Sequence, residues 1–535
     1  MSKMEKEEDV EQASLNFIPC LAWIRRGVAK LNPEKVELTK EELEALIGKT
    51  KGDLAELDEE DKEENEEDKE EMDEGETGDN DDTEKIDEKV DSNMDEDAKI
   101  AAEYGLDDYD DDDDNVLMGI ESLTVFSDEK QDPHVTKPED EDSEEEDDFN
   151  LLPTDDNVLM GIESLTVFSD EKQDPYVTKP EDEDSEEEDD FNLLPTDNLI
   201  AVGHVEGDAA ILEIYVYNAE EAHLYVHHET FLPALPLCME WLDFNPSETK
   251  PGNYLAVGSM SPIIEVWDVD IVGSLEPEFC LGKKKSRKKN IPGVGHKDAV
   301  LSISWNNRVR NLLASGSADH TTMLWDMNNQ VVASTLPHPE KVQSLQFHPF
   351  EIQTLLTGCC DQQVRVYDCR SESFKSWTVE GEVERVLWDH FNPYCFLAST
   401  EAGHVYYMDA RNDEKPLWQL NAHTKSCTGL ALSSQCPGCL VTASQDKNFK
   451  VWDIQSGKPN FICEHDFKIG GIYVATACPD APFAFCMGGD NRSENFKVWD
   501  IRQSAAVLDR FERRQLVQPL IQTCPSEPPA TTNQS

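Results

Sequence analysis

The chain has 535 residues and a formal net charge of −68 at pH 7, of which residues 53–190 carry −53, from 62 acidic side chains, nine lysines and no arginine. No stretch approaches the ~18 apolar residues that a membrane span needs, and the opening MSKMEKEEDV is too polar for a secretory signal peptide. Composition therefore excludes a membrane-spanning protein. It indicates a folded body joined to an acidic segment that cannot bury enough apolar surface to fold. The 14 cysteines are scattered through strand-like runs, as expected for free thiols in a reducing compartment.

The predicted elements begin with residues 1–16, a polar N-terminus that we expect to be disordered. Residues 17–30 form a predicted strand, because IPCLAWIRRG repeats the pattern of two later segments, PLCMEWLDFNP and VLSISWNNRVR, with Trp23 at the position of the tryptophan in each. We expect this strand to pair with the strand that begins at Asn198. The alternative is a loose strand unrelated to the folded body. Closing a loop of ~170 residues instead of ~10 costs only about 2.5 kcal/mol, so the pairing is feasible.

Residues 31–197 are predicted to be an acidic, largely disordered insertion. Within it, residues 113–154 and 155–196 are copies of each other that differ only at His134 versus Tyr176. Because disordered segments drift quickly, near-identity indicates a recent duplication or a gene-model error, and not a functional repeat.

Each copy holds an apolar patch, VLMGIESLTVF, and a serine followed by acidic residues. Ser143 and Ser185 therefore match sites for acid-directed kinases of the casein kinase 2 type, and phosphorylation would add about −1.5 to −2 charge per site. The acidic segment is either a solvated spacer or a surface that attracts basic partners such as histone tails and ribosomal proteins. Direct binding of this segment to nucleic acid is disfavoured, because like charges repel.

Six dipeptides ending in aspartate recur through the rest of the chain, at intervals of 58, 42, 41, 44 and 47 residues. A period of about 40–45 residues with a Trp-Asp ending is the signature of a WD40 β-propeller, in which each repeat forms one four-stranded blade. With AAILEIYVYN as a degenerate third strand, the count of blades is seven. The predicted fold is all-β, a seven-bladed WD40 β-propeller over residues 198–512, with the acidic insertion near the N-terminus and a disordered tail at 513–535. The dipeptides are Trp267-Asp268, Trp325-Asp326, Tyr367-Asp368, Met408-Asp409, Trp452-Asp453 and Trp499-Asp500.

The repeats also predict buried polar contacts. In WD40 repeats a His, a strand Ser or Thr, a turn Asp and the Trp join in a buried hydrogen-bond chain, although the pattern leaves open which serine takes part. A His/Asp/Ser catalytic triad is the alternative, and recurrence in blade after blade disfavours it. The chain that fits best is His296, Ser315, Asp319 and Trp325, and the further structural residues are Trp267, Asp268, Asp446, Trp452, Asp453, Trp499 and Asp500.

A basic cluster, KKKSRKKN, interrupts the connection between blades two and three and is predicted to be an exposed loop. Such a run is typical of a nuclear or nucleolar localisation signal, or of a patch that contacts phosphates. A plain solvated loop is the alternative, and the lack of interleaved aromatic residues argues against base stacking. The basic residues are Lys283, Lys284, Lys285, Arg287, Lys288 and Lys289.

No constellation for catalysis is present in the sequence. Cys436-Pro-Gly-Cys439 has the CxxC spacing, but no second pair lies at zinc-ribbon distance. The chain also lacks a phosphate-cradling loop, a metal-ligand spacing and a nucleophile elbow. We therefore predict no metal, no cofactor and no enzymatic activity.

The chain closely resembles the periodic tryptophan protein 1 family of nuclear WD-repeat proteins. The resemblance rests on CLAWIRRGVAK with PEKVELTKEEL, on EYGLDDYD, on QDPYVT followed by DNLIAVG, and on YVHHETFLPALPLCMEWL, GNYLAVGSMSPIIEVWDVDIVGSLEPEF and GHKDAVLSISWN. It covers nearly the whole chain, and only the second 42-residue copy departs from it. The resemblance implies a nuclear, largely nucleolar protein in ribosome biogenesis, linked to ribosomal RNA synthesis, pre-rRNA processing and chromatin at ribosomal DNA.

Three functions compete at this point. The first is a non-enzymatic scaffold in nucleolar ribosome production, a monomer within larger complexes that binds assembly factors and ribosomal proteins, with nucleic acid contacted only indirectly or through the basic loop and no membrane partner. The second is a histone-binding chromatin regulator, which the acidic segment fits equally well. The third is a substrate receptor of a cullin-type ubiquitin ligase, because Trp499-Asp500-Ile-Arg502 matches the Trp-Asp-x-Arg motif of such receptors and would make Arg502 the adaptor contact.

Overall fold

The computed structural model describes residues 15–36, 192–221, 223–246, 251–284, 293–412 and 415–517. These residues form seven antiparallel sheets that follow one another around a central axis, each built from consecutive hairpins. The fold is a seven-bladed β-propeller with WD40 repeats, as the sequence predicts. Blade 1 contains β1 (Asn16–Ile24), β3 (Asn198–Glu206), β4 (Ala209–Asn218) and β5 (His223–Phe231), and blade 2 contains β6 (Pro236–Leu242), β7 (Tyr254–Ser259), β8 (Ile264–Asp268) and β10 (Phe279–Leu281). Blade 3 contains β11 (Val300–Trp305), β12 (Leu312–Ser317), β13 (Thr321–Asp326) and β14 (Val331–Pro337). Outside the blades, β2 (Glu34–Lys35) and β9 (Ile271–Val272) form a short parallel pair.

The remaining four blades repeat this plan, and in blade 7 the described residues supply three strands. A 3-10 turn at Ile501–Gln503 and one α-helix, α1 (Ala505–Phe511), follow the last strand. The strands of blades 4 to 7 are β15 (Val342–Phe347), β16 (Thr354–Cys359), β17 (Gln363–Asp368) and β18 (Ser373–Thr378); β19 (Val383–Trp388), β20 (Cys395–Thr400), β21 (His404–Asp409) and β22 (Trp418–Asn421); β23 (Gly429–Leu432), β24 (Cys439–Ala443), β25 (Phe449–Asp453) and β26 (Asn460–His465); and β27 (Ile472–Ala477), β28 (Ala484–Gly489) and β29 (Phe496–Asp500).

Strand composition follows from strand position in the blade. The second strands are almost wholly buried, and β20 (CFLAST) and β28 (AFCMGG) are buried at every residue, because both faces of the sheet pack on neighbouring blades. Such strands combine branched apolar side chains with small ones that let adjacent sheets approach. The fourth strands lie at the rim, and β14 alternates exposed and partly buried residues accordingly.

Blade 1 takes its first strand from the far side of the insertion. β1 pairs antiparallel with β3, in a register that places Trp23 opposite Ile200 and Ile24 opposite Leu199. This is the pairing that the tryptophan pattern of the sequence predicts. Ile18 and Ile24 are fully buried, so β1 contributes to the cores on both sides of blade 1.

The ring closes where β1 meets blade 7. Ile18 lies directly over Gly488 of β28, and a Cβ atom at Gly488 would come within 2.4 Å of the Ile18 Cγ2 atom. At the rim of the same contact, His204 Nε2 lies 3.0 Å from Asn16 Oδ1 and 3.1 Å from Asn495 Nδ2. The first and last blades are therefore joined by close packing and by a polar cluster.

Side chains of the first strands connect blade 3 to blade 4 and blade 4 to blade 5. At these two junctions a hydroxyl or amide oxygen on one first strand accepts a hydrogen bond from a backbone N–H on the next first strand, which satisfies buried donors that have no partner within their own sheet. The bonds are Leu345 N to Ser302 Oγ (3.0 Å), Phe347 N to Ser304 Oγ (3.1 Å), Val386 N to Ser344 Oγ (3.1 Å) and Trp388 N to Gln346 Oε1 (2.7 Å).

The antiparallel order of the strands gives the propeller two different faces. First-to-second and third-to-fourth connections lie on one side, here called the lower face, whereas second-to-third turns and the links between blades lie on the upper face. The lower face therefore carries the Trp-Asp dipeptides, and the upper face carries the turn aspartates.

Candidate interaction surfaces

The polar residues that the sequence predicts in blade 3 come together in the structure. His296 Nδ1 lies 3.0 Å from Asp319 Oδ2, and His296 Nε2 lies 2.7 Å from Ser315 Oγ. The Trp325 indole N–H donates to the same Ser315 oxygen at 2.8 Å. A consistent proton arrangement has Nδ1–H donating to the carboxylate and the serine hydroxyl donating to Nε2.

This chain of contacts is closed to substrates. Ser315 and Trp325 are fully buried, and the serine oxygen is used by the indole and the imidazole. Burial acts to raise the pKa of Asp319, but hydrogen bonds from His296, Thr321 and the Lys297 amide outweigh it and hold that pKa below its usual range. The group stabilises blade 3, and it offers no exposed nucleophile.

Blade 6 contains a second chain of the same kind. His423 Nδ1 lies 3.1 Å from Asp446 Oδ2, its Nε2 lies 2.8 Å from Thr442 Oγ1, and the Trp452 indole donates to that oxygen at 2.9 Å. Sequence reasoning singled out Asp446 and Trp452 but not Thr442, and it did not assign His423 to this contact. The available signal was the Ala422-His423 pair before β23 and a threonine at the register position of Ser315.

Two of the predicted tryptophans have other partners. The Trp267 indole donates to Glu265 Oε2 at 3.2 Å, and burial raises the pKa of Glu265 to about 7. The Trp499 indole donates to Gln503 at 3.2 Å, and its ring stacks on His465 with centroids 5.3 Å apart. Blades 2 and 7 therefore bury their tryptophans without a histidine–hydroxyl chain.

The dipeptide aspartates order the turns of the lower face. Asp268 accepts a hydrogen bond from the Asp270 amide at 2.9 Å, and Asp500 accepts one from the Arg502 amide at 2.9 Å. Asp453 is fully buried; it accepts the equivalent hydrogen bond from the Gln455 amide at 3.1 Å and also binds two arginines of the C-terminal segment, Arg510 and Arg514. Burial acts to raise the pKa of Asp453, and these arginines together with backbone contacts lower it.

Arg502 uses its guanidinium within its own turn. Its Nε lies 2.9 Å from Asp500 Oδ1, and its Nη2 bonds to Asp500 Oδ2, while about half of the side chain stays exposed. Arg411 makes the same contacts with Asp409 and lies over the Tyr394 ring at 4.2 Å. The recurrence shows that this Asp–Arg pair is a turn-stabilising arrangement of the lower face.

Both ends of the insertion are attached to the lower face between blades 1 and 2. Lys30 N donates to Asp270 Oδ1 at 3.0 Å, β2 pairs with β9, and Leu193 N donates to Leu31 O at 2.9 Å. Leu193 is itself buried in the core between blades 1 and 2. Ser143 and Ser185, the duplication and the acidic run lie outside the described residues.

The basic loop is attached to the opposite face. It follows β10, so it belongs to a link between blades, and its base is the bridge in which Lys283 N donates to Val294 O at 2.7 Å. Lys283 and Lys284 are exposed, while Lys285, Arg287, Lys288 and Lys289 lie outside the described residues. The two strongly charged segments therefore leave the propeller from different faces.

The first strands of all seven blades line a central channel with a cavity of about 210 Å³. Hydroxyl, amide and charged groups project into it, including Arg385, whose Nε donates to Thr428 O at 3.1 Å. Glu240 lies in the same channel, accepts a hydrogen bond from the Trp305 amide at 3.2 Å, and has its pKa raised to about 7 by burial.

Among the described residues, no group of three or more His, Cys, Asp or Glu side chains is placed to hold a metal ion. The same part of the chain contains no helix with the length and apolar character needed to cross a membrane.

Comparisons with known proteins agree with this architecture. The WD domain, G-beta repeat family model matches residues 289–326, 330–368 and 414–453. The chain is 35% identical to the Periodic tryptophan protein 1 homolog of Drosophila melanogaster, over 90% of this chain and 94% of that protein. It is 32% identical to Periodic tryptophan protein 1 of Saccharomyces cerevisiae, over 89% of this chain and 87% of that one. A more distant relative is the Ribosome biogenesis protein WDR12 homolog of Anopheles gambiae, with 24% identity over 44% of this chain and 54% of that protein.

Proposed function

Because the chain belongs to the periodic tryptophan protein 1 family, we propose that it is a non-enzymatic WD-repeat scaffold in ribosome biogenesis, acting in the nucleus and nucleolus. The observation that carries the proposal is the similarity to two family members over about nine-tenths of the chain. The resemblance to a protein named for ribosome biogenesis supports the same process.

The geometry supports a binding role. The serine, histidine and aspartate groups that could perform chemistry are used in buried contacts of blades 3 and 6. What the propeller offers instead is two faces, each of which anchors a strongly charged segment. A scaffold of this form can hold a basic partner on one face and an anionic partner on the other at the same time.

We assign the acidic insertion to basic partners, namely ribosomal proteins and assembly factors. Residues 53–190 carry a net charge of −53. Both ends of the insertion are attached to blades 1 and 2, through the pairing of β2 with β9 and the hydrogen bond from Leu193 N to Leu31 O. Attraction between exposed charges is screened beyond ~8 Å at physiological salt, so this binding should weaken steeply as salt increases. Within ribosome biogenesis, we assign the protein to the production of ribosomal RNA, through its transcription, through pre-rRNA processing, or through both steps.

We assign the basic loop to nuclear and nucleolar localisation. The sequence holds six cationic residues between positions 283 and 289, in a connection whose described base, Lys283 with Val294, lies on the upper face. A basic run of this kind can bind an import receptor or an RNA phosphate backbone.

A histone-binding role is the second candidate, and the charge of the insertion favours it. Histone tails and ribosomal proteins share the same basic chemistry, so the insertion alone does not separate them. The structure does not support the hypothesis that Arg502 contacts the adaptor of a ubiquitin ligase. The Arg502 guanidinium is paired with Asp500, and the same arrangement recurs at Asp409 and Arg411.

Replacement of the insertion tests the proposal. In cells depleted of the endogenous protein, the full chain should restore normal levels of pre-rRNA intermediates. A variant in which residues 53–190 are replaced by a neutral Gly/Ser linker of equal length should fail to do so while remaining folded. The matched control keeps the composition of residues 53–190 and shuffles their order, and it should restore function. Full rescue by the neutral linker would rule out a role for the acidic charge, and unchanged pre-rRNA after depletion would rule out the proposed function.

A further inference from the structure

A pair of cysteines lies in a tight turn of blade 6. Cys436, Pro437, Gly438 and Cys439 form the turn that leads into β24, and Cys439 N donates to Cys436 O at 3.2 Å. Proline followed by a glycine with a φ of 76° is the pattern of a type II β-turn, whose first and fourth Cα atoms lie within about 7 Å. A disulfide requires Cα atoms about 4.4–6.8 Å apart, so this turn brings the two cysteines within bonding range.

The two thiols differ from the other cysteines of the described chain. Both are fully buried, and each thiol has the largest single influence on the pKa of the other. Cys439 and the nearby Arg514 guanidinium lower the pKa of Cys436, and the pKa of Cys439 is raised. Burial raises the pKa of Cys427, nine residues earlier, to about 12. A thiol that is deprotonated more easily and lies beside a second thiol is the arrangement that peroxides oxidise selectively once solvent reaches it.

The C-terminal segment covers this turn. Arg514 Nη1 donates to Pro437 O at 2.8 Å, and the same guanidinium bonds to Asp453 at 2.9 and 2.8 Å. Farther on, Val517 N donates to Gln435 O at 2.8 Å. These bonds place the segment 512–517 across the residues on both sides of Cys436.

We propose that Cys436 and Cys439 form a reversible dithiol–disulfide site, oxidised by hydrogen peroxide and uncovered by release of the C-terminal segment. The Cys436 thiolate attacks one peroxide oxygen, which gives a sulfenic acid and, after proton uptake, one water. The Cys439 sulfur then displaces the sulfenic oxygen as a second water and forms the S–S bond. The balance is two thiols and one peroxide to one disulfide and two waters, and cellular thiols reverse it.

The chain offers an internal control for the experiment. Cleavage after Lys425 and Lys447 releases one peptide that contains Cys427, Cys436 and Cys439. The reduced full-length protein is exposed to hydrogen peroxide, quenched with catalase, denatured, labelled with N-ethylmaleimide and digested. The expected product is a peptide that carries one label, on Cys427, and has lost two hydrogens. Three labels on this peptide, under conditions that oxidise exposed Cys280, would overturn the proposal.

Two sets of variants test which sulfur is oxidised first and whether the C-terminal segment limits access to the cysteines. Cys439→Ala should leave a sulfenic acid on Cys436 that dimedone traps, and Cys436→Ala should leave Cys439 reduced; a dimedone adduct on Cys439 with none on Cys436 would contradict the assignment. Arg514→Lys should speed oxidation about tenfold, because lysine keeps a positive charge near Cys436 but loses the paired guanidinium bonds that hold the segment closed. The matched control is Arg513→Lys, at an exposed neighbour. If both arginine variants react at the wild-type rate while thermal melting shows them folded, the C-terminal segment does not govern access.

Discussion

Replacing Ser315 by alanine should destabilise the propeller by more than the loss of one ordinary hydrogen bond. The serine oxygen lies 2.8 Å from the Trp325 indole nitrogen and 2.7 Å from His296 Nε2, in a fully buried site. Alanine leaves both groups without this partner. Each buried polar group left unsatisfied costs about 1–3 kcal/mol, and the two costs partly overlap, so the expected loss is roughly 2–4 kcal/mol.

Urea unfolding of the full-length protein, followed by tryptophan fluorescence, measures this loss. The midpoint should fall while the slope with urea stays unchanged, because the surface exposed on unfolding is the same. Ser334→Ala, on the exposed outer strand of the same blade, is the matched control and should change stability by less than ~0.5 kcal/mol.

A double-mutant cycle with Trp325→Phe tests whether the indole N–H and the serine act on each other. The double variant should be more stable than the sum of the two single changes predicts, by about 1 kcal/mol, because one unsatisfied group is removed with its partner. A Ser315→Ala loss within the range of the Ser334→Ala control would refute the reasoning for the whole buried chain.

Three further predictions concern other parts of the molecule. Burial raises the pKa of Glu265 to about 7, above its unfolded value, so its contribution to stability is present at pH 4.5 and is lost as pH rises to 7. In the wild type, the free energy of unfolding should fall by roughly 1–3 kcal/mol over this pH range, and Glu265→Gln should remove that fall. If wild type and variant show the same slope of melting temperature against pH from 5 to 8, the prediction is wrong. Ile18→Ala should cost about 2–4 kcal/mol in urea unfolding, because it empties the fully buried contact with Gly488; an unchanged midpoint would show that β1 does not close the ring. Changing all basic residues of 283–289 to glutamine should move a fluorescent fusion out of the nucleus, and unchanged nuclear fluorescence would exclude the localisation role.

Repetition explains which parts of this structure the sequence predicts. The period of the Trp-Asp dipeptides predicts the propeller, and the Trp23 pattern predicts the strand that β3 receives across the insertion. His296, Ser315, Asp319 and Trp325 were recognisable because the same residue types return at the same spacing. The same pattern fits blade 6, where Thr442 takes the place of Ser315, so this contact was also within reach of the sequence.

Contacts without a repeat were beyond sequence reasoning. Asp453 belongs to a dipeptide that looked like the others, yet it binds Arg510 and Arg514, which lie 57 and 61 residues farther along the chain. In blade 2 the Glu265 carboxylate accepts the indole hydrogen bond of Trp267, in place of the histidine–hydroxyl chain of blades 3 and 6. The burial of Glu265 follows from the packing of the folded chain and is not visible in the sequence. These contacts depend on which segments become neighbours in space, and no periodic pattern encodes that.

The measurement that tests the proposed function most directly is affinity purification of the tagged full-length protein from nuclease-treated nuclear extract, with quantitative mass spectrometry. A scaffold in ribosome biogenesis should enrich ribosomal proteins and assembly factors over a tag-only control, and the enrichment should be lost when residues 53–190 are replaced by a neutral linker. Enrichment of histones and polymerase factors, with assembly factors at the level of the control, would contradict this function and place the protein on chromatin.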